Sequence, residues 1–152
     1  MRHQVKALKM LLRLGHGALF MEMGTGKTKV AIDWAAATSL RENPRAPALN
    51  GLVLAPKGVI GTWHKELRKH DPYHDNDFMG VQWRIVTYES AWRPHTYDEL
   101  VDWMHERDTV LILDESHKIK TNSARRSRAA HRLSRHAIGT VIEKVRYKVP
   151  HE

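Results

Sequence analysis

The chain has no cysteine, which rules out a disulfide framework and any thiolate zinc site. It also lacks a run of about 18 apolar residues, and its N-terminus has no apolar core followed by a small-residue cleavage site, so a soluble, intracellular, cytoplasmic protein with no membrane partner is expected. Acidic residues are outnumbered: 25 Lys and Arg against 17 Asp and Glu give a formal charge of +8. The resulting pI near 9.9 suits a polyanionic partner, although a basic surface can also be merely solvated. At 152 residues the chain can cover both faces of one sheet but cannot build two such domains.

What is present centres on Leu19 to Thr28, read LFMEMGTGKT, where a short apolar run meets Gly24-Thr25-Gly26-Lys27-Thr28 and then a helical pattern. A nucleoside triphosphate needs backbone N–H groups aimed at its phosphates, and glycine lets the chain come close where a Cβ would intrude. A helix N-terminus adds partial positive charge at the same place. In such a loop Lys27 reaches the β- and γ-phosphates, and the Thr28 hydroxyl ligates magnesium. The full pattern has one more glycine, at position 21, where this chain has methionine. The plainer alternative is a glycine turn capping a helix.

Apolar spacing predicts a helix from about His3 to Leu14, with Val5, Leu8, Leu11, Leu12 and Leu14 on or near one stripe and Gly15 and Gly17 ending it. A strand over 18–21, a helix from Lys27 to about Leu40 and a loop over 41–50 follow. Gly51 to Ala55 reads as a strand buried on both sides. Pro56-Lys57-Gly58 then turns into a helix carrying Val59, Trp63 and Leu67. His70 to Gly80 reads as a solvated loop, its His70, Asp71, His74, Asp75 and Asp77 matching no ligand spacing for a metal. Strands over 82–87 and 109–113 flank a helix over about 97–107. Strands alternating with helices predict an α/β fold with a mainly parallel sheet.

The strand over 109–113 ends in Asp114-Glu115-Ser116-His117. Carboxylates closing a buried strand are costly unless they work at the C-terminal edge of the sheet, where ligands of open α/β sheets bind and where Lys27 is expected. Asp114 is assigned to magnesium and Glu115 to polarising the water that attacks the γ-phosphate. A helix N-cap is the competing use of both. Arg125, Arg126, Arg128, Arg132 and Arg135 then lie on a helix whose other side is Ala129, Ala130 and Leu133, and they form either a solvated face or a phosphate contact.

Taken in order, these segments resemble the first RecA-like lobe of a superfamily 2 helicase, of the Snf-type DNA-dependent ATPases. Arg2-His3-Gln4 before an apolar helix resembles the adenine-reading segment, implying that Gln4 contacts the base. Met23-Gly24-Thr25-Gly26-Lys27-Thr28 matches the first ATP motif. Leu52 to Pro56 with Trp63 and Glu66 resembles a segment that contacts the DNA backbone. Lys57 and Thr62 meet DNA phosphates in that reading, through charge and a helix N-terminus; an ordinary helix start is the alternative. Thr87-Tyr88-Glu89 matches a second DNA-proximal motif, and Asp114 to His117 is similar to the DEAH box with serine for alanine.

The resemblance implies ATP and magnesium as cofactors and double-stranded DNA as partner. It also implies a RecA-like lobe over 1–142 with a basic tail over 143–152 carrying Lys144, Arg146 and Lys148. Ala137 to Glu143 weakly resembles the strand and Ser/Thr-Gly-Thr-Pro segment that the family places between the phosphate-loop strand and the DEAH strand. A second lobe, which in the family supplies an arginine worth roughly 10³ to 10⁵ in rate, is absent from the sequence, so a weakly active chain needing a second lobe or partner subunit is expected. A non-catalytic ATP- or DNA-binding module is the alternative. A small-molecule kinase fits the Asp-Glu pair less well.

Overall fold

The computed structural model describes residues 2–21, 26–42, 49–71, 73–74, 80–115 and 124–145. Five strands form one parallel sheet: β1 (Gly17–Met21), β2 (Leu49–Ala55), β3 (Val81–Thr87), β4 (Asp108–Leu113) and β5 (Gly139–Val145), in the order β1-β5-β4-β2-β3. The last strand in sequence therefore lies between the first and the fourth. The chain opens with α1 (Arg2–Leu14); parallel neighbours need crossovers, and the later helices supply them: α2 (Lys27–Glu42), α3 (Ile60–His70), α4 (Tyr88–Ala91), α5 (Pro94–Glu106) and α6 (Ala124–Ser134).

Strand alternation divides the core. Val53, Val110, Ile112 and Val141 point to one face, where they meet Leu11 of α1, Val30, Ala31 and Trp34 of α2, and Trp63 and Leu67 of α3. Leu52, Leu54, Leu111 and Leu113 point to the other, against Tyr88, Leu100, Met104, Ala130 and Leu133 of α4, α5 and α6. The central strands are buried on both faces, which is why they read as continuous apolar runs.

Several elements differ from expectation. In α1 the buried stripe is Leu11 with Leu8 and Leu12 partly covered, while Val5 and Leu14 are exposed. β2 begins at Leu49, inside the expected loop, because Asn50 is buried yet satisfied: its Nδ2 donates to the Trp103 carbonyl at 2.9 Å. α5 starts early, with Pro94 in its first turn, where a missing N–H costs nothing. β5 runs to Val145, so the lobe extends past the expected boundary at 142 and Glu143 belongs to the sheet, not to a tail. Gly139 is what lets β5 enter: a Cβ there would stand 2.4 Å from the Gly15 carbonyl oxygen and 2.9 Å from the Trp34 ring.

In the 70–80 region, Asp71 is buried and structural. It accepts from Trp83 Nε1 at 2.8 Å and from the Tyr73 N–H at 3.0 Å. His70 pairs with Glu66 at 3.1 Å, and among the described residues no three His, Asp or Glu side chains are placed to hold a metal. Asp75 and Asp77 lie outside the described residues. No described helix is long and apolar enough to cross a membrane.

Candidate nucleotide site at the sheet edge

All five strands end on the same edge, and the C-terminal ends of β4 and β5 open onto a cleft of about 360 Å³. Gly26, Lys27 and Thr28 line it from the start of α2, Val59, Thr62, Trp63 and Glu66 from α3 and the turn before it, Asp114 and Glu115 from the end of β4, and Glu143 from β5. The fold thus brings together Lys27, Thr28, Asp114 and Glu115 from distant parts of the sequence. Met23, Gly24 and Thr25 lie outside the described residues, as do Ser116 and His117.

Gly26 has φ of +81° and opens α2. A Cβ on it would fall 2.3 Å from Nε2 of Gln4, so α1 sets the Gln4 side chain directly against Gly26 at the start of α2. Glu115 holds a left-handed backbone, φ +47°, which for a residue with a Cβ costs on the order of 1–3 kcal/mol and is concentrated at functional sites. The competing use of Asp114 and Glu115 as a helix cap falls on residues 116–123, which lie outside the described residues.

Asp114 is held from three sides. Trp63 Nε1 donates to its Oδ2 at 2.8 Å, the Tyr88 hydroxyl donates to its carbonyl at 2.7 Å, and its own N–H donates to the Leu54 carbonyl at 2.9 Å. Burial raises the Asp114 carboxyl above the usual carboxylate range, with the Trp63 hydrogen bond opposing and the neighbouring Glu115 charge adding to the rise. Glu143, 1 % exposed, is raised further: burial dominates, the Asp114 charge adds and Lys27 opposes. The two carboxyl groups share a hydrogen bond, and of the two Glu143 is pushed up further. Burial also pushes the Tyr88 phenol up.

The expected nucleic-acid residues divide. Lys57 is exposed in a 3-10 turn (Lys57–Val59) beyond the end of β2. Thr62 faces the cleft beside Lys27 and Thr28. Thr87 caps α4, its hydroxyl accepting from the Ser90 N–H at 3.1 Å and donating to the Ser90 hydroxyl at 2.9 Å. Tyr88 is buried with its hydroxyl committed to Asp114, so the expectation that it touches nucleic acid is corrected: it braces the cleft.

A second correction concerns the segment expected to resemble Ser/Thr-Gly-Thr-Pro. Gly139 and Thr140 pair with Val110 and Leu111, at the start of β5 and away from the cleft. With Leu113 opposite Ile142, it is Glu143 that stands level with Asp114. Sequence reasoning missed Glu143 as a site residue and saw Trp63 only as a helix and motif position. A usable signal was present: Val141-Ile142-Glu143 closes an apolar run with a carboxylate, as Ile112-Leu113-Asp114 does.

No protein-family profile and no curated protein matches the chain's sequence. Among solved structures, the SWI2/SNF2 ATPase core of Sulfolobus solfataricus, determined in complex with double-stranded DNA, superposes with a TM-score of 0.61 at 22% identity over 93% of this chain. The fold is a RecA-like lobe. A nuclease-deletion mutant of the Type ISP restriction-modification enzyme LlaGI, in complex with a DNA substrate mimic, matches with a TM-score of 0.59 at 16% identity over 97% of this chain. The RecA-like lobe spans 31% of the first protein's length and 17% of the second's.

The donor set of this lobe fits a magnesium nucleotide. Thr28 and Asp114 offer hard oxygen ligands, and Glu143, which also lines the cleft, has a buried carboxyl oxygen, Oε1, with no hydrogen-bond partner among the described residues. Lys27 brings the positive charge that a phosphate needs.

Proposed function

We propose that this chain is the ATP-binding lobe of a DNA-dependent ATPase of helicase or translocase type, acting with magnesium and with a second RecA-like lobe. The observation that carries the reading is the convergence of Lys27 and Thr28 with Asp114 and Glu115 in one cleft at the sheet edge. DNA enters the reading from the basic charge and from the two solved relatives in fold, both determined with DNA or a mimic of it.

In this mechanism the start of α2 and the loop before it hold the triphosphate, and Lys27 engages its terminal oxygens. Thr28 and Asp114 would hold the magnesium, which would supply charge neutralisation for the β- and γ-phosphates. Trp63 fixes the Asp114 carboxylate by its indole N–H, and Tyr88 fixes the backbone beneath it. Glu115, turned by its left-handed backbone at the strand end, orients and polarises the attacking water. Gln4 meets the base from above the phosphate loop, as its seat on Gly26 allows. Lys57 supplies a DNA phosphate contact, and the second lobe supplies the arginine for transition-state charge.

The test is ATP turnover by the purified chain with and without duplex DNA at low salt, beside Glu115→Gln. Turnover stimulated by DNA and lost in the variant is the expected result. ATP bound equally by both proteins, with no turnover in either even when a second lobe is supplied, would instead make the chain a non-catalytic binding module.

A further inference from the structure

Glu143 occupies a position that the roles above do not use. It is 1 % exposed, it lines the same cleft as Lys27, Thr28 and Asp114, and its Oε1 has no hydrogen-bond partner among the described residues. A buried carboxyl oxygen in that condition calls for a partner that arrives with a ligand. The triphosphate portion of a nucleotide offers acceptor oxygens only, so it cannot supply one and would be repelled. A divalent cation can, because it takes oxygen ligands and prefers carboxylates and phosphate oxygens together.

The register places Glu143 on the strand next to Asp114 and level with it. Among the described residues no three acidic or histidine side chains are placed to hold a metal unaided, which suits a cation whose shell is completed by phosphate oxygens. We propose that Glu143 is a second carboxylate, beside Asp114, through which the lobe holds the divalent cation accompanying a bound nucleoside triphosphate. The proposal rests on the nucleotide-site reading. It implies that the site disfavours the cation-free nucleotide, whose phosphate oxygens would meet the acceptor oxygens of Asp114, Glu115 and Glu143 in the described lining.

The experiment measures binding of a fluorescent, non-hydrolysable ATP analogue to the whole chain with magnesium, with manganese and with chelator, for wild type and Glu143→Gln. The wild type should bind far more tightly with either cation than without. In Glu143→Gln, binding with cation should weaken about 10-fold or more while cation-free binding is unchanged or improved. An unchanged cation effect would overturn the proposal and leave Glu143 a structural group; the same result with turnover lost would also overturn it and move Glu143 to the attacking water. No analogue binding by the wild type under any condition would sink the nucleotide-site reading itself. A wild-type structure with manganese and the analogue gives a check independent of the variant's folding: the anomalous metal peak should lie within direct or one-water reach of the Glu143 carboxylate, and a peak beyond that reach overturns the proposal.

Discussion

Glu143, within β5, and Asp114, just past the end of β4, share a nearly dry corner, and burial holds both carboxyl groups protonated to higher pH than in the unfolded chain. The sign of the consequence is fixed by linkage. Below about the unfolded value of 4.5 the Glu143 carboxyl is protonated in both states and has no effect. Above it, the unfolded chain releases a proton that the folded chain retains, so stability falls as pH rises until the raised folded pKa is passed. Thermal melts of the ligand-free protein in chelator should therefore show Glu143→Gln gaining stability over wild type as pH rises above 5, with the curves converging toward acid. A constant difference at every pH, with the variant the less stable, would mean that Glu143 is ionised and well paired in the folded chain. The residue was hard to read for the same physical reason: charge ordinarily marks solvent, and followed by Lys144 and Arg146 it resembled the start of a tail.

At the level of elements, both segments that the family resemblance placed near DNA are tied to Asp114, α3 through the Trp63 indole and the β3–α4 junction through the Tyr88 hydroxyl. Removing the indole N–H while keeping an aromatic ring isolates the first link. Trp63→Phe leaves a buried carboxylate oxygen short of a donor, which costs about 1–3 kcal/mol of folding stability. It should also lower the factor by which magnesium–ATP changes DNA affinity toward one, because α3 then no longer reports the position of Asp114. Chemical denaturation measures the first effect, and DNA titrations with and without nucleotide the second. A stability loss with the coupling factor intact would make Trp63 a packing residue alone.

The elements themselves were largely legible. Continuous apolar runs marked β2 and β4 because both faces of these strands are covered, and the placement of the last strand between β1 and β4 is as the resemblance implied. What was not legible depends on contacts made after folding. Asn50 looked like a loop residue until the Trp103 carbonyl satisfied it, and α4 is too short, at four residues, to show a period. The Gly139-Thr140 pair matched a motif by composition, but only the strand register shows that it sits at the wrong end of β5.

On the scale of the whole molecule, a charge of +8 does not say where DNA would lie, but the topology narrows it. Strands end and helices begin on the cleft edge, so α6 runs from that edge toward the opposite one before feeding β5. Its exposed Arg132, and Arg135 just beyond the helix, are therefore carried away from the cleft, whereas Lys57 follows the C-terminal end of β2 on the cleft edge. DNA that communicates with the nucleotide must lie near the second place. Each phosphate neutralised adds close to 0.9 to the slope of log affinity against log salt for duplex DNA. Lys57→Ala should thus reduce that slope by about 1 and weaken binding alike for different sequences. The joint change of Arg132 and Arg135 to alanine should leave the slope within error, as for a solvated face. Fluorescence anisotropy with one duplex between 50 and 200 mM salt, the range over which about 6–10 phosphate contacts cost 10³ to 10⁵ in affinity, resolves a change of that size. The reverse pattern, with the arginine pair changing the slope and Lys57 not, would place DNA across the far edge and remove the physical basis for coupling it to Asp114.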